Sequence, residues 1–194
     1  MTSTSRRLIV LALLMLTLAA TRLHHFATLP DASWAVFFVA GFHLRAWSRW
    51  AFPLLMALAV LVDAWVINAM GLEFWQHYCV SLGYWMLLPA YFTLWTGGVL
   101  LRQGQAGARW RLLPRAAVLL LASVAVCHLF AQGGFYWTSS NVAGPTLAGW
   151  WKNYTDWLGP YLATTALYVA LAAAVQLALA QAGKLAQARR QAHT

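Results

Sequence analysis

Two cysteines, Cys79 and Cys127, a carboxylate inside an apolar run, Asp63, and three histidines beside or within such runs, His24, His25 and His128, are the side chains best suited to ligate a metal or move a proton. A cysteine does either chemistry as the thiolate. Cys79 follows Trp75-Gln76-His77-Tyr78 and precedes Gly83 by four residues, one helical turn, so thiol and bare backbone share a face that a bulky group can approach. Its alternative role is that of a small buried apolar residue. Cys127 lies in the apolar run 123–130 and reads as packing. A Cys79–Cys127 disulfide requires Cα atoms within about 7 Å. The sequence has no Cys-x-x-Cys pair, which weakens a dithiol redox reading.

Asp63 is costly within a membrane span and demands a use: a cation partner, hydrogen bonds to a ligand's amides, a proton path, or a helix–helix hydrogen bond to a Tyr or Trp. His24 and His25 are adjacent, so at most one faces a common site. A haem reading pairs His25 with His128 across two helices, and little in their spacing supports it. Nucleophile-elbow, zinc-protease, phosphate-loop and four-cysteine zinc patterns are all absent from the sequence.

The elements that position these groups follow from composition. With 62% apolar and 9% charged residues and 12 Trp in 194, the expected solvent is the bilayer. The net charge of +9 does not indicate nucleic acid, because the cations sit between apolar runs rather than on one polar surface. Six apolar runs, 8–23, 33–44, 51–70, 79–101, 114–131 and 157–182, predict an all-α polytopic membrane protein, one transmembrane domain over residues 1–194. The first run continues to Leu23, which favours a retained helix over a cleaved signal peptide. The second reaches only about 18 Å as a helix and must be tilted, half-spanning or extended through its flanks.

Lys and Arg are retained on the cytoplasmic side during insertion. Arg6, Arg7, Arg45, Arg49, Arg102, Arg109, Arg111, Arg115, Lys184, Arg189 and Arg190 fall on one side of the alternating runs, and only Arg22 and Lys152 on the other. Eleven against two predicts an inner-membrane protein with both termini cytoplasmic. Asp31, Asp63, Glu73 and Asp156, with His24, His25, His77 and His128, then gather toward the outer face. The expected outer loop 133–156, with Phe135, Tyr136, Trp137, Trp150, Trp151 and Tyr154, is either an interfacial aromatic belt or a lid over a large ligand, its Gly133-Gly134 and Gly144-Pro145 breaks allowing movement.

The segments Arg22-Leu23-His24-His25-Phe26, Leu29-Pro30-Asp31-Ala32-Ser33-Trp34-Ala35-Val36-Phe37-Phe38-Val39-Ala40-Gly41-Phe42 and Tyr78-Cys79-Val80-Ser81-Leu82-Gly83-Tyr84 resemble the BtuM family, small bacterial membrane proteins that look like solitary substrate-binding S-components of energy-coupling-factor transporters. The resemblance implies a six-helix S-component-like fold that binds cobalamin at the outer face and takes it up across the membrane. Cys79 would ligate cobalt, with removal of an axial cyanide as an accompanying step for which the sequence names no reductant. Asp63, Tyr84, His25, Trp137 and Asn141 are the expected cobalamin contacts. An energy-coupling-factor module is the implied partner, although Ala12 is followed four residues later by Leu16, which breaks the small-xxx-small docking signature. The competing class is an outer-face redox or haem protein built on Cys79/Cys127 or His25/His128, and a third is a structural subunit anchored by its aromatics.

The cation asymmetry makes a direct prediction. Reporters fused after Thr194 and within residues 104–108 should both report a cytoplasmic location, and a periplasmic signal from either overturns the topology.

Overall fold

A computed structural model describes residues 3–23, 30–77, 80, 82–103 and 112–192. Among them the chain forms six α-helices and no strand: α1 (Ser3–Leu23), α2 (Ser33–Leu44), α3 (Ser48–Ala69), α4 (Leu87–Gln103), α5 (Leu112–Thr138) and α6 (Leu147–Ala192). Three segments, Ser33–Ala69, Leu112–Thr138 and Leu147–Ala188, are long and apolar enough to cross a membrane. Their outward faces are apolar, with Leu61, Val118, Leu121, Leu171 and Leu177 all exposed. A helix apolar all round is one that lipid, rather than water, surrounds. The chain is an all-α protein of membrane type.

The first of these segments is a hairpin. Phe37 on α2 and Phe52 on α3 would stand about 22 Å apart along one straight helix, yet their rings meet edge to face at 5.6 Å. The reversal occurs at the 3-10 turn Arg45–Trp47, bracketed by Leu44 and Trp47 at φ −111°. Charged and bulky residues at the turn, Arg45, Trp47 and Arg49, follow the last buried residue of α2, Leu44.

Nine of the twelve residues of α2 are buried, because α1, α3, α4 and α6 all pack around it. This encirclement resolves its shortness: a helix sheathed by protein need not match the bilayer's thickness. Its closest neighbour is α4. A Cβ on Gly98 would lie 2.0 Å from the Phe38 carbonyl oxygen, and one on Gly41 would lie 2.0 Å from that of Trp95. The two backbones touch there, which only glycine permits. Phe37 stacks on Tyr91 at 4.4 Å, and Trp95 Nε1 donates to Ser48 Oγ at 3.0 Å, tying α4 to both legs of the hairpin.

Helix ends follow local chemistry. Gly71, at φ +75°, closes α3: its N–H bonds the Asn68 carbonyl and that of Leu72 bonds Ile67, a Schellman stop. The fourth apolar run begins its α-helix later than residue 79. A 3-10 turn, Leu82–Met86, precedes α4, and Pro89 sits in the first turn of α4, where its missing N–H costs nothing. The expected outer loop 133–156 is mostly helix, since α5 runs to Thr138 and α6 starts at Leu147. Gly133-Gly134 is a contact rather than a break: a Cβ on Gly134 would lie 2.8 Å from the Met86 side chain, and one on Gly83 would lie 2.3 Å from the Gly134 carbonyl oxygen. The true turn lies at residues 139–146, where Gly144 adopts φ +63° and Thr146 Oγ1 caps α6 by accepting from the Gly149 N–H at 3.1 Å.

The α2–α4 contact is testable. Gly98→Ala forces a methyl into the Phe38 carbonyl and should cost about 1–3 kcal/mol or more. Gly159→Ala, with nothing within 4 Å of the new methyl, should leave the unfolding midpoint in detergent unchanged. Equal midpoints for the two variants would show that the helices do not touch at Gly98.

Candidate functional site

The inward face of α1 ends in Leu18, Thr21 and Arg22, spaced to lie on one side of the helix. Arg22 is therefore delivered into the protein, with its side chain 7% exposed. On α3 the buried positions Phe52, Leu55, Ala59 and Val62 define the inner face, and Asp63, one turn beyond Ala59, lies at its edge.

The two meet in a fork. Arg22 Nε donates to Asp63 Oδ1 at 2.5 Å and Nη2 to Asp63 Oδ2 at 2.7 Å. Nη1 reaches Ser33 Oγ at 2.8 Å, Tyr91 OH at 3.2 Å and Asp31 Oδ2 at 3.3 Å. Tyr84 OH donates to Asp63 Oδ2 at 2.7 Å. Asp31 is fixed in turn, accepting from the Ser33 N–H at 2.9 Å and the Ser33 hydroxyl at 2.6 Å. One guanidinium thus serves two carboxylates and joins α1, α2, α3 and α4. A planar fork matched to a carboxylate is the geometry that makes burying such charges tolerable.

Asp63 accordingly has a cation partner, the first of the uses its position demanded. It does not line the cavities described below. Its carboxylate is engaged in an ion pair inside the helix bundle, with the Tyr84 hydroxyl donating to the same group. Tyr84, expected as a ligand contact, spends its hydroxyl on Asp63 and borders a cavity of about 180 Å³ with Arg22, Tyr91 and apolar Met56, Val60 and Leu88.

A larger cavity of about 620 Å³ opens on the other side of Arg22. Its wall includes Arg22, Trp34, His128, Gln132, Phe135 and Tyr161. It lies where the end of α1, the starts of α2 and α4, the second half of α5 and residues 157–165 of α6 meet, toward the end the cations avoid. Trp34 and Tyr161 stack at 4.5 Å with planes 17° apart, and the His128 ring stands 5.9 Å from Trp34 and 5.3 Å from Tyr161. Tyr168 OH, on α6, donates to the Pro30 carbonyl at 2.8 Å, fastening α6 to the entry of α2. A large aromatic pocket with a few polar groups is the usual form of a small-molecule site.

His128 is 1% exposed. Its Nε2 lies 3.0 Å from the Tyr154 backbone carbonyl, which only accepts, so Nε2 carries the proton. Nδ1 is then an acceptor, and it is buried without a partner. Cys127, one residue earlier, is fully buried in the core. That agrees with its reading as packing and leaves it poorly placed for redox exchange.

The remaining expected contacts lie elsewhere. Trp137, at the end of α5, is 44% exposed and stands edge-on to Tyr136 at 5.3 Å. The Asn141 backbone N–H donates to Ser139 Oγ in the turn at 3.3 Å. Neither borders the larger cavity. His24, His25 and Cys79 lie outside the described residues. No group of three or more metal-ligating side chains occurs among the described residues. Trp150, Trp151 and Tyr154 occupy the first turns of α6, where Trp151 and Tyr154 stack at 5.8 Å.

The fork predicts a pattern of stabilities. Arg22→Leu strands Asp63 without its cation and should destabilise the protein by about 3 kcal/mol or more. Removing both charges, Arg22→Leu with Asp63→Leu, should recover much of that loss. Thermal unfolding of the two single variants and the double variant measures the coupling. Additive losses would mean that the pair does not act as a unit.

No protein-family model and no curated protein matches this sequence.

Proposed function

We propose that the protein is a bacterial inner-membrane binding protein that captures cobalamin or a related corrinoid at its outward-facing end for passage inward. The observation that carries this reading is the cavity of about 620 Å³ at the cation-poor end, whose wall combines the aromatic Trp34, Phe135 and Tyr161 with the polar Arg22, Asp31 and Gln132. A corrin is a flat macrocycle fringed with amides, and a wall that mixes aromatic faces with spaced donors and acceptors suits it. Trp34 comes from the Pro30–Phe42 block that resembles the BtuM family. A whole corrinoid exceeds this cavity. His25 and Cys79 are further corrinoid contacts in this reading, as the resemblance implies.

The six helices, with α2 and α3 as antiparallel legs, support a six-span S-component-like arrangement. The eleven-to-two split of cations supports cytoplasmic termini and an outward cavity. In this reading the Cys79 thiolate would ligate the cobalt of the bound corrinoid as a polarisable donor. An energy-coupling-factor module remains the partner implied by the resemblance.

Titrating the purified protein with cobalamin tests the reading. Wild type should acquire corrinoid absorption bands, and Cys79→Ser should retain bound corrinoid while losing the thiolate-ligated spectrum. Identical spectra would remove Cys79 from the cobalt. Failure of the wild type to bind any corrinoid would refute the function.

A further inference from the structure

The end of the bundle opposite the cavity is rich in cations and has no acidic side chain among the described residues. It gathers the starts of α1 and α5, the Arg45–Trp47 turn and the end of α4, and with them Arg6, Arg7, Arg45, Arg49 and Arg102, all but Arg7 exposed. The chain has four acidic residues, and all four lie toward the other end. Asp31 and Asp63 are held by Arg22, Asp156 pairs with Lys152, and Glu73 accepts from the Gln76 amide after α3. Like charges gathered away from every carboxylate repel one another and attract an anion.

Two of the guanidinium groups are set in place by aromatic faces. Arg102 Cζ, from α4, lies 5.2 Å from the centroid of the Phe42 ring on α2, and Arg7 Cζ, from α1, lies 5.8 Å from that of Trp47 in the turn. A guanidinium over a ring face keeps its in-plane N–H groups at the edge, where a phosphate can take two of them at once. The His43 ring meets that of Phe42 at 4.9 Å and lies within electrostatic reach of both Arg102 and Arg6, so positive charge from α1 and α4 converges on the end of α2. Arg6 also heads a stripe of exposed apolar residues on α1, Ile9, Leu13 and Leu16, spaced to share one face of the helix. Cation and apolar stripe thus run in line from the end of the bundle along its side.

We propose that this end of the bundle binds an anionic phospholipid, its phosphate drawn to the arginines around Phe42 and Trp47 and an acyl chain laid along Ile9, Leu13 and Leu16. Basic groups between helices at a membrane surface are suited to such headgroups. A zwitterionic phospholipid offers the same chains, but its ammonium sets a positive charge against these arginines. A soluble phosphate makes no use of the stripe. The site is separate from the cavity and independent of what the cavity binds.

The test equilibrates detergent-purified full-length protein with mixed micelles of equal parts phosphatidylglycerol and phosphatidylcholine of the same acyl chains, and mass spectrometry of the intact complexes counts the lipids retained. Wild type should retain phosphatidylglycerol over phosphatidylcholine by roughly fivefold, and excess inorganic phosphate should leave that preference in place. Arg7→Gln combined with Arg102→Gln should abolish the preference, while Lys184→Gln, on the exposed far arm of α6, should keep it. Equal retention of the two lipids by wild type, loss of the preference to inorganic phosphate, an unchanged preference in the folded double variant, or its loss in Lys184→Gln would each overturn the inference. Should the double variant fail to fold, a photoactivatable phosphatidylglycerol decides on wild type: crosslinks should fall within residues 3–16, 42–49 and 99–103, and crosslinks confined to other segments would overturn it too.

Discussion

The fork between Arg22 and Asp63 is the constraint to which the rest of this bundle conforms. An arginine and a carboxylate taken out of water are tolerable only when every strong donor finds an acceptor, and here four helices contribute. α1 supplies the guanidinium, α3 the carboxylate, the start of α2 supplies Asp31 and Ser33, and α4 supplies Tyr91. Because directional bonds must be met at fixed places, apolar helices that could otherwise slide past one another are held in register. Glycine contacts between α2 and α4 then bring backbones together where the fork has aligned them.

The same arginine divides the interior. It borders the larger cavity on one side and the smaller one on the other, with Tyr91 and Leu87 shared between them. α5 and α6 line the larger cavity on one side, where Tyr154 and Tyr161 of α6 lie against the His128 ring of α5. Polar chemistry is thus concentrated at one end of the bundle, while the opposite end holds the Arg45–Trp47 turn and the end of α4.

Much of the architecture was readable from periodicity and charge. The α2 boundaries followed from the apolar run 33–44, and the hairpin from the cations that interrupt it at Arg45 and Arg49. Glycines were misread where they serve contact rather than turning: Gly133-Gly134 has the appearance of a loop signal but lies inside α5, because Met86 and Gly83 occupy the space a side chain would need. Arg22 counted only as a stray cation on the cation-poor side. The signal that would have found it was the need of Asp63 for a partner, since an apolar helix ending in arginine can meet a carboxylate at the same depth. His128 was weighed only against His25 as a haem pair. Its unmet acceptor depends on the Tyr154 carbonyl, 26 residues away, and no local pattern encodes that contact.

The 46 residues of α6 make a rod of about 69 Å, more than twice the hydrocarbon thickness of a bilayer. Pro160 sits within it beside Trp157 and Tyr161 of the cavity wall, and proline withholds one rung of the helix ladder where it stands. That missing rung puts the weakest point of the helix ladder beside the cavity, with about 48 Å of helix beyond it. On so long an arm a bend of about 5° at that rung would displace the far tip by about 4 Å.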